Sequence, residues 1–306
     1  MTQISKLPTL LPTGADAIYV VTGGNRGLGL EHVRQFLEKT QGKSHRLTVV
    51  TLDLSDESSI KEAAEQINLA HPRGIDLLLN NAGMQEPITR ASETAGSEYV
   101  HVLTTNVVGP YLTTKHLLPS LMKKKTRVIV NTSSLYDSVN ATLNDNGHHS
   151  PTGSVLLASN TSKAAVNMQS AVLANDLKQD GFIVISLDTG WVRTEMGNTT
   201  EELGHGCAPL DVLTSVAGQQ KVIMALTQKQ TGKYLNWDGK APKEHPSSHA
   251  FVTASAAPQA GTKAGTRPAR PLKRPFAART LLTPHWSARH LVWQAFGKHD
   301  ALHSLL

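Results

Sequence analysis

The stretch "AIYVVTGGNRGLG", residues 17–29, carries the reading of the fold. Its first half is a short β-branched run ended by glycines, which predicts a buried strand. Its second half sets Gly23, Gly27 and Gly29 at a strand-to-helix junction, because "LGLEHVRQFLEKT" continues with amphipathic helical spacing. Gly23 permits the tight turn, Gly27 lets the backbone approach a phosphate, and Gly29 allows helix and sheet to pack closely. The N-terminus of the helix then offers free N–H groups to a pyrophosphate. A glycine turn with no ligand is the bland alternative, and the strand–turn–helix context weighs against it.

Outward from this unit the same alternation repeats. The stretches 46–54 ("RLTVVTLDL"), 74–83, 126–134, 182–190 and 232–239 read as strands. Helices are predicted over 55–71, over 98–124, from about 160, and over 211–228. Apolar strands alternating with helices imply a parallel sheet covered on both faces, a doubly wound α/β fold of Rossmann type.

With 306 residues and 39% hydrophobic content, the chain can bury one large core. Its single cysteine, Cys207, excludes internal disulfides and a cysteine-built zinc site, and suits a reducing cytosol. No metal is expected. No run has the length of a signal peptide or a membrane span, so a cytoplasmic protein without membrane contact is expected. The net charge of +6 is concentrated in residues 246–306, which hold eight Lys/Arg and one acid and leave 22 basic and 23 acidic residues in 1–245. That Pro/Ala-rich stretch shows neither helical nor strand period and reads as a disordered tail. Its last part, 285–306, offers one amphipathic turn or two. The organisation expected is a dinucleotide-binding domain over 1–245 and a basic tail over 246–306. The tail has no stacking or groove-reading motif, so no specific nucleic-acid partner is expected.

Four motifs stand in order: "TGGNRGLG" (22–29), "NNAG" (80–83), "TSS" (132–134) and the lysine of "SKAAVN" (162–167), with "GWVRTEMG" (190–197) following. Together they resemble the short-chain dehydrogenase/reductase family, particularly its small carbonyl-reductase-like members, over residues 16–243. The resemblance implies NADP or NAD as cofactor, with a slight lean to NADP. It also implies hydride transfer between the nicotinamide and a small carbonyl or alcohol substrate. A homo-oligomer is an open option. By the same resemblance Gly23, Asn25, Arg26, Gly27, Leu28 and Gly29 form the pyrophosphate loop. Asp53 contacts the adenine amino group, Leu54 lies beside the ring, and Asn81, Ala82 and Gly83 flank the adenine ribose. Asn106 holds a relay water, Ser134 bonds the substrate carbonyl with Ser133 as its neighbour, and Lys163 binds the nicotinamide ribose. Val192 and Thr194 fix the carboxamide.

Bland readings stand beside these: Asp53 as a cap for the helix after it, Asn106 as a satisfied core amide, and Ser133 and Ser134 as the close of a strand. Tyr111, Trp191 and Trp237 read as core, while His148, His149 and Lys123–Lys125 read as solvated.

The chain departs from the family pattern at four places. Where the family has a tyrosine four residues before the lysine, Ser159 stands. A phenol near ~10 can be tuned toward neutrality, whereas an aliphatic hydroxyl is a far weaker acid and shorter by a ring. Ser159 is therefore expected to cap its helix. One strand–helix unit is missing after the first helix, and with it the residue that selects for the ribose 2′ position. One right-handed crossover then sets 46–54 beside the first strand, with Asp53 near the ribose. A Pro-Gly before "WV" is replaced by Asp188-Thr189-Gly190, and a tail follows where such chains usually end. Four functions compete: an oxidoreductase of impaired activity; a non-catalytic dinucleotide binder or the product of an aberrant gene model; a Ser159–Lys163 hydrolase, disfavoured for want of a nucleophile elbow; and a tail that binds acidic partners by charge.

Overall fold

The computed structural model describes residues 11–14, 16–39, 47–135, 138–143, 155–199, 207–240 and 289–295. Its strands are β1 (Tyr19–Thr22), β2 (Leu47–Asp53), β3 (Leu77–Asn80), β4 (Val128–Ser133), β5 (Ile183–Asp188), β6 (Tyr234–Asn236) and β7 (Arg289–Ala295). The helices are α1 (Gly27–Lys39), α2 (Glu57–Ala70), α3 (Gly96–Leu103), α4 (Gly109–Met122), the short α5 (Val139–Leu143), α6 (Leu157–Asp176) and α7 (Val212–Met224). A five-residue π turn, Thr104–Val108, joins α3 to α4. The expected helix over 98–124 is thus two helices with a widened turn between them.

The sheet order is β2-β7-β1-β3-β4-β5-β6. From β1 through β6 the strands pair in parallel. Alternation along them divides the core in two. Val20, Leu78, Ile129 and Val184 share one cluster with Ile60, Leu117, Leu121 and Ala174 of α2, α4 and α6. Tyr19, Val21, Leu79, Val130 and Ile185 share the other with Val33 and Phe36 of α1 and Ile223 of α7. These two layers make the doubly wound fold.

One expectation fails here. β2 does not lie beside β1, because β7 occupies that slot, antiparallel to both neighbours. The register sets Val21 and Val49 against the same residue, Trp293, and Asp53 against Arg289. The tail therefore supplies a strand from 289–295, and the rest of 246–306 lies outside the described residues. The physical reason is the open edge of β1. A parallel strand there would need its own crossover, and residues 40–46 between α1 and β2 are too few for a strand and a helix. The unpaired backbone groups are met instead by a segment arriving from far along the chain.

The absent unit leaves a second mark. Val50 and Leu52 of β2 are buried in the cluster of α2, α4 and α6, while Leu47 and Val49, on the opposite face, are 36% and 45% exposed. That face is where the missing unit's helix would be expected. Two units divide the chain, Met1–Glu244 with Ala288–Leu306 and His245–Ser287, and the second lies wholly outside the described residues.

Candidate active site

The parallel strands β1, β3, β4 and β5 end side by side at Thr22, Asn80, Ser133 and Asp188, and the loops leaving them surround a cleft of about 420 Å³. A carboxyl-edge crevice of this kind is where open α/β sheets bind ligands. Thr22 ties two of the loops together: its Oγ1 accepts from the backbone N–H of Asn81 and Ala82 at 3.1 and 3.0 Å. Asn81 Nδ2 donates back to the Thr22 carbonyl at 3.0 Å.

The glycine loop is shaped as its sequence predicts. Gly23 has φ +70° and Gly27 φ +54°, both in the left-handed region. A Cβ on Gly29 would stand 2.1 Å from the Gly23 carbonyl oxygen, so the turn closes only around a glycine. α1 starts at Gly27, and its first N–H groups have no partner within the helix. They form an anion site at the positive end of the helix dipole. Arg26 crosses the mouth of the cleft to pair with Glu195, both more than half exposed, so this contact adds little stability.

Fourteen of the residues singled out in the sequence line this one cleft: Gly23, Asn25, Arg26, Gly27, Leu28, Gly29, Asn81, Ala82, Gly83, Ser134, Ser159, Lys163, Val192 and Thr194. Lys163 reaches across from α6, where its Nζ donates to the Thr132 carbonyl at 2.9 Å. Thr194 Oγ1 accepts from Gly197 N at 2.9 Å, fixing the turn opposite Gly27. Trp191, expected in the core, lines the cleft as well, with its Nε1 donating to the Gly197 carbonyl. Gln85 Nε2 donates to Thr199 Oγ1 at 2.7 Å, joining the two loops that flank the entrance.

Three residues are not in this lining. Asp53 turns its carboxylate to the next turn, where Oδ1 accepts from Ser55 N at 2.9 Å and Ser55 Oγ at 2.7 Å. Leu54 is 1% exposed and packed beneath Gly109, where a Cβ would meet its carbonyl oxygen at 2.6 Å. Asn106 sits in the π turn, fully engaged: Oδ1 accepts from Met84 N, and Nδ2 donates to the Met84 carbonyl and Ser162 Oγ, all within 3.0 Å. The geometry of Asn106 matches its reading as a satisfied core amide, whereas α2 is capped not by Asp53 but by Asp56, whose side chain accepts from Ser58 N at 2.9 Å. Lys124 departs from the solvated reading, because it pairs with the buried Asp76 at 2.9 Å. His148 and His149 lie outside the described residues.

The sequence missed Glu86. This carboxylate is 2% exposed and sits over the start of α6. Oε1 accepts from Ala158 N at 2.6 Å, and Oε2 accepts from Ser159 N at 3.0 Å and from Ser159 Oγ at 2.6 Å. The N-cap position is Leu156, which has no side-chain cap of its own and adopts the left-handed conformation, φ 56°. A bulky residue held there is strained by about 1–2 kcal/mol. Ser159 therefore does not cap its helix. It lies within the first turn, and Glu86 caps for it. No spacing rule could have found this pair, since 73 residues separate the partners.

Known proteins place the fold in a family. A model of the short chain dehydrogenase family matches residues 31–205. The chain belongs to the short-chain dehydrogenase family. An uncharacterized oxidoreductase of Schizosaccharomyces pombe is 28% identical over 255 residues, covering 72% of this chain and 96% of the relative. An uncharacterized oxidoreductase of Saccharomyces cerevisiae is 26% identical, covering 74% and 97%. In the first comparison 72% of 306 residues is about 220, so the aligned span of 255 contains stretches this chain lacks. Such a shortfall is in keeping with the short 40–46 connection. Among solved structures, the NADPH-bound carbonyl reductase from chicken fatty liver has a TM-score of 0.61 at 27% identity, covering 72% of this chain and 96% of that one. Carbonyl reductase Sniffer of D. melanogaster has a TM-score of 0.60 at 28% identity, covering 71% and 95%.

Proposed function

We propose that this short-chain dehydrogenase is an oxidoreductase using NADP or NAD, with NADP favoured, on a small carbonyl or alcohol compound. We also propose that its turnover is impaired. The observation that carries the reading is the single cleft in which the glycine loop, Ser134, Lys163, Val192 and Thr194 converge. The residues present suit the pyrophosphate and nicotinamide half of such a cofactor. The left-handed glycines and the open N-terminus of α1 make an anion cradle, and Lys163 stands across from it. When bound, the cofactor supplies or removes a hydride at the substrate carbon. The adenosine half has no counterpart in Asp53 and Leu54, whose polar and apolar groups are already engaged. The NADPH-bound carbonyl reductase from chicken fatty liver supports the lean to NADP.

Substrate polarisation falls to Ser134, and Lys163 orients the ribose. Proton transfer is the weak step, because Ser159 stands where a phenol is needed. Exposed apolar side chains on α3 and α6, Val100, Met168 and Val172, support association with a second copy. A non-catalytic dinucleotide binder is the second reading, favoured by the same Ser159 and, like an aberrant gene model, by the absent strand–helix unit.

The test is turnover of NADPH with a panel of small aldehydes and ketones, comparing the unmodified chain with Ser159→Tyr. The variant is expected to be about 100-fold faster, the lower end of what a positioned acid contributes. Equal rates in the two proteins would overturn the impairment. Binding without turnover in either would favour the second reading.

A further inference from the structure

Glu86 has no part in the reaction described so far, yet it holds the one hydroxyl that stands at the proton-transfer position. The hydrogen bond at 2.6 Å has a direction: a carboxylate accepts, so Ser159 Oγ–H donates to Oε2 and the oxygen turns its lone pairs away from Glu86. Ser159 itself lines the cleft. Toward the cleft it therefore presents an acceptor backed by a buried carboxylate, the arrangement of a base acting through a relay.

We propose that Glu86 is a positioning and proton-accepting residue that works through Ser159, replacing the missing phenol and suiting the site to a ligand that donates a hydroxyl. This rests on the oxidoreductase reading above. In the oxidation direction a substrate alcohol gives its proton to Ser159 Oγ as the Ser159 proton passes to Glu86 Oε2. The electron pair of the carbinol C–H bond leaves as the hydride transferred to the nicotinamide. The carbon–oxygen bond becomes double, and Glu86 later returns its proton to solvent. Reduction runs the same steps backwards.

The backbone donors Ala158 N and Ser159 N hold the carboxylate in place across 72 and 73 residues of chain, and the left-handed Leu156 delivers the helix start to it. The other charged or titratable groups on the elements meeting here are Lys163 and, at its far end, Asp176 on α6, Arg90 on the same loop, and Glu98, Tyr99 and His101 on α3, which packs against α6. A cap alone would explain the two backbone bonds. It does not require the third, to the hydroxyl.

Glu86→Gln separates the roles, since its amide oxygen still caps the helix while its NH₂ can only donate to Ser159. Oxidation of small secondary alcohols with NADP⁺ is followed against pH, with NADPH affinity by fluorescence as control. The variant is expected to bind NADPH within about twofold, to lose about 100-fold in kcat, and to lose the acidic limb of the pH profile, since it keeps every other titratable group. Unchanged kcat and limb would reduce Glu86 to a cap and overturn the proposal. So would a wild type that binds NADPH and oxidises no alcohol, while a wild type that binds no NADPH contradicts the oxidoreductase reading instead. A second arm needs no cofactor. In a Cys207→Ser background, the alkylation midpoint of Ser159→Cys is expected to fall by about one pH unit on adding Glu86→Gln, the carboxylate no longer opposing the thiolate. An unmoved midpoint would overturn the coupling of Glu86 to position 159.

Discussion

His32 lies fully buried on α1, its Nε2 3.0 Å from Gln219 Oε1 on α7. Burial pushes its pKa down from 6.5 to about 4, against the opposing hydrogen bond with Gln219 and with a lesser contribution to the fall from Lys39. The folded state thus binds fewer protons than the unfolded chain between those values. The stability linked to His32 is complete above about 6.5 and declines as pH drops toward 4, by something of the order of 3 kcal/mol. Urea unfolding at pH 7 and pH 4.5 checks this, and His32→Asn is expected to show a shallower pH dependence than the unmodified chain. Equal slopes would remove His32 from the account. Single residues differed in how far the sequence exposed them. Gly23, Gly27 and Gly29 were legible because each answers a local backbone need. Glu86 was not, because its meaning depends on a helix start that only folding brings to it.

At the level of elements, strands β1 to β6 were legible from their apolar runs, and α1, α2 and α7 from helical spacing to within a few residues. The widened turn at Thr104–Val108 and the true start of α6 at Leu157 were not, since both are settled by packing against neighbours rather than by composition. β7 was the largest miss. Pairing information for "RHLVWQA" resides in β1 and β2, hundreds of residues away, and the surrounding Pro/Ala-rich sequence carries no period. Its seven residues all stand in register with β2. At about 1 kcal/mol per hydrogen bond, losing them removes several kcal/mol, a large share of the stability of an ordinary domain. A chain ending at residue 288 is expected to melt at least several degrees lower than the full chain. An unchanged melting temperature would show that β7 is not part of the working sheet.

For the whole molecule, the account is that a parallel sheet missing one unit still gathers a dinucleotide cleft at its carboxyl edge. The fold class, and the gathering of fourteen singled-out residues around one cleft, followed from the sequence because the motifs sit at strand ends, where chain order and spatial order agree. The adenosine half did not follow. It depends on the strand that is absent, and Asp53 and Leu54 turned to local and core partners. What remains is a short-chain dehydrogenase fold in which Ser159 stands at the position where the proposed reaction needs a phenol. The most direct measurement is a fluorescence titration of the full-length protein with NADPH and NADH, with Gly29→Ala as the control that fills the turn. The account predicts saturable binding, tighter for NADPH and lost in the variant. No binding of either nucleotide, or equal binding by Gly29→Ala, would contradict it.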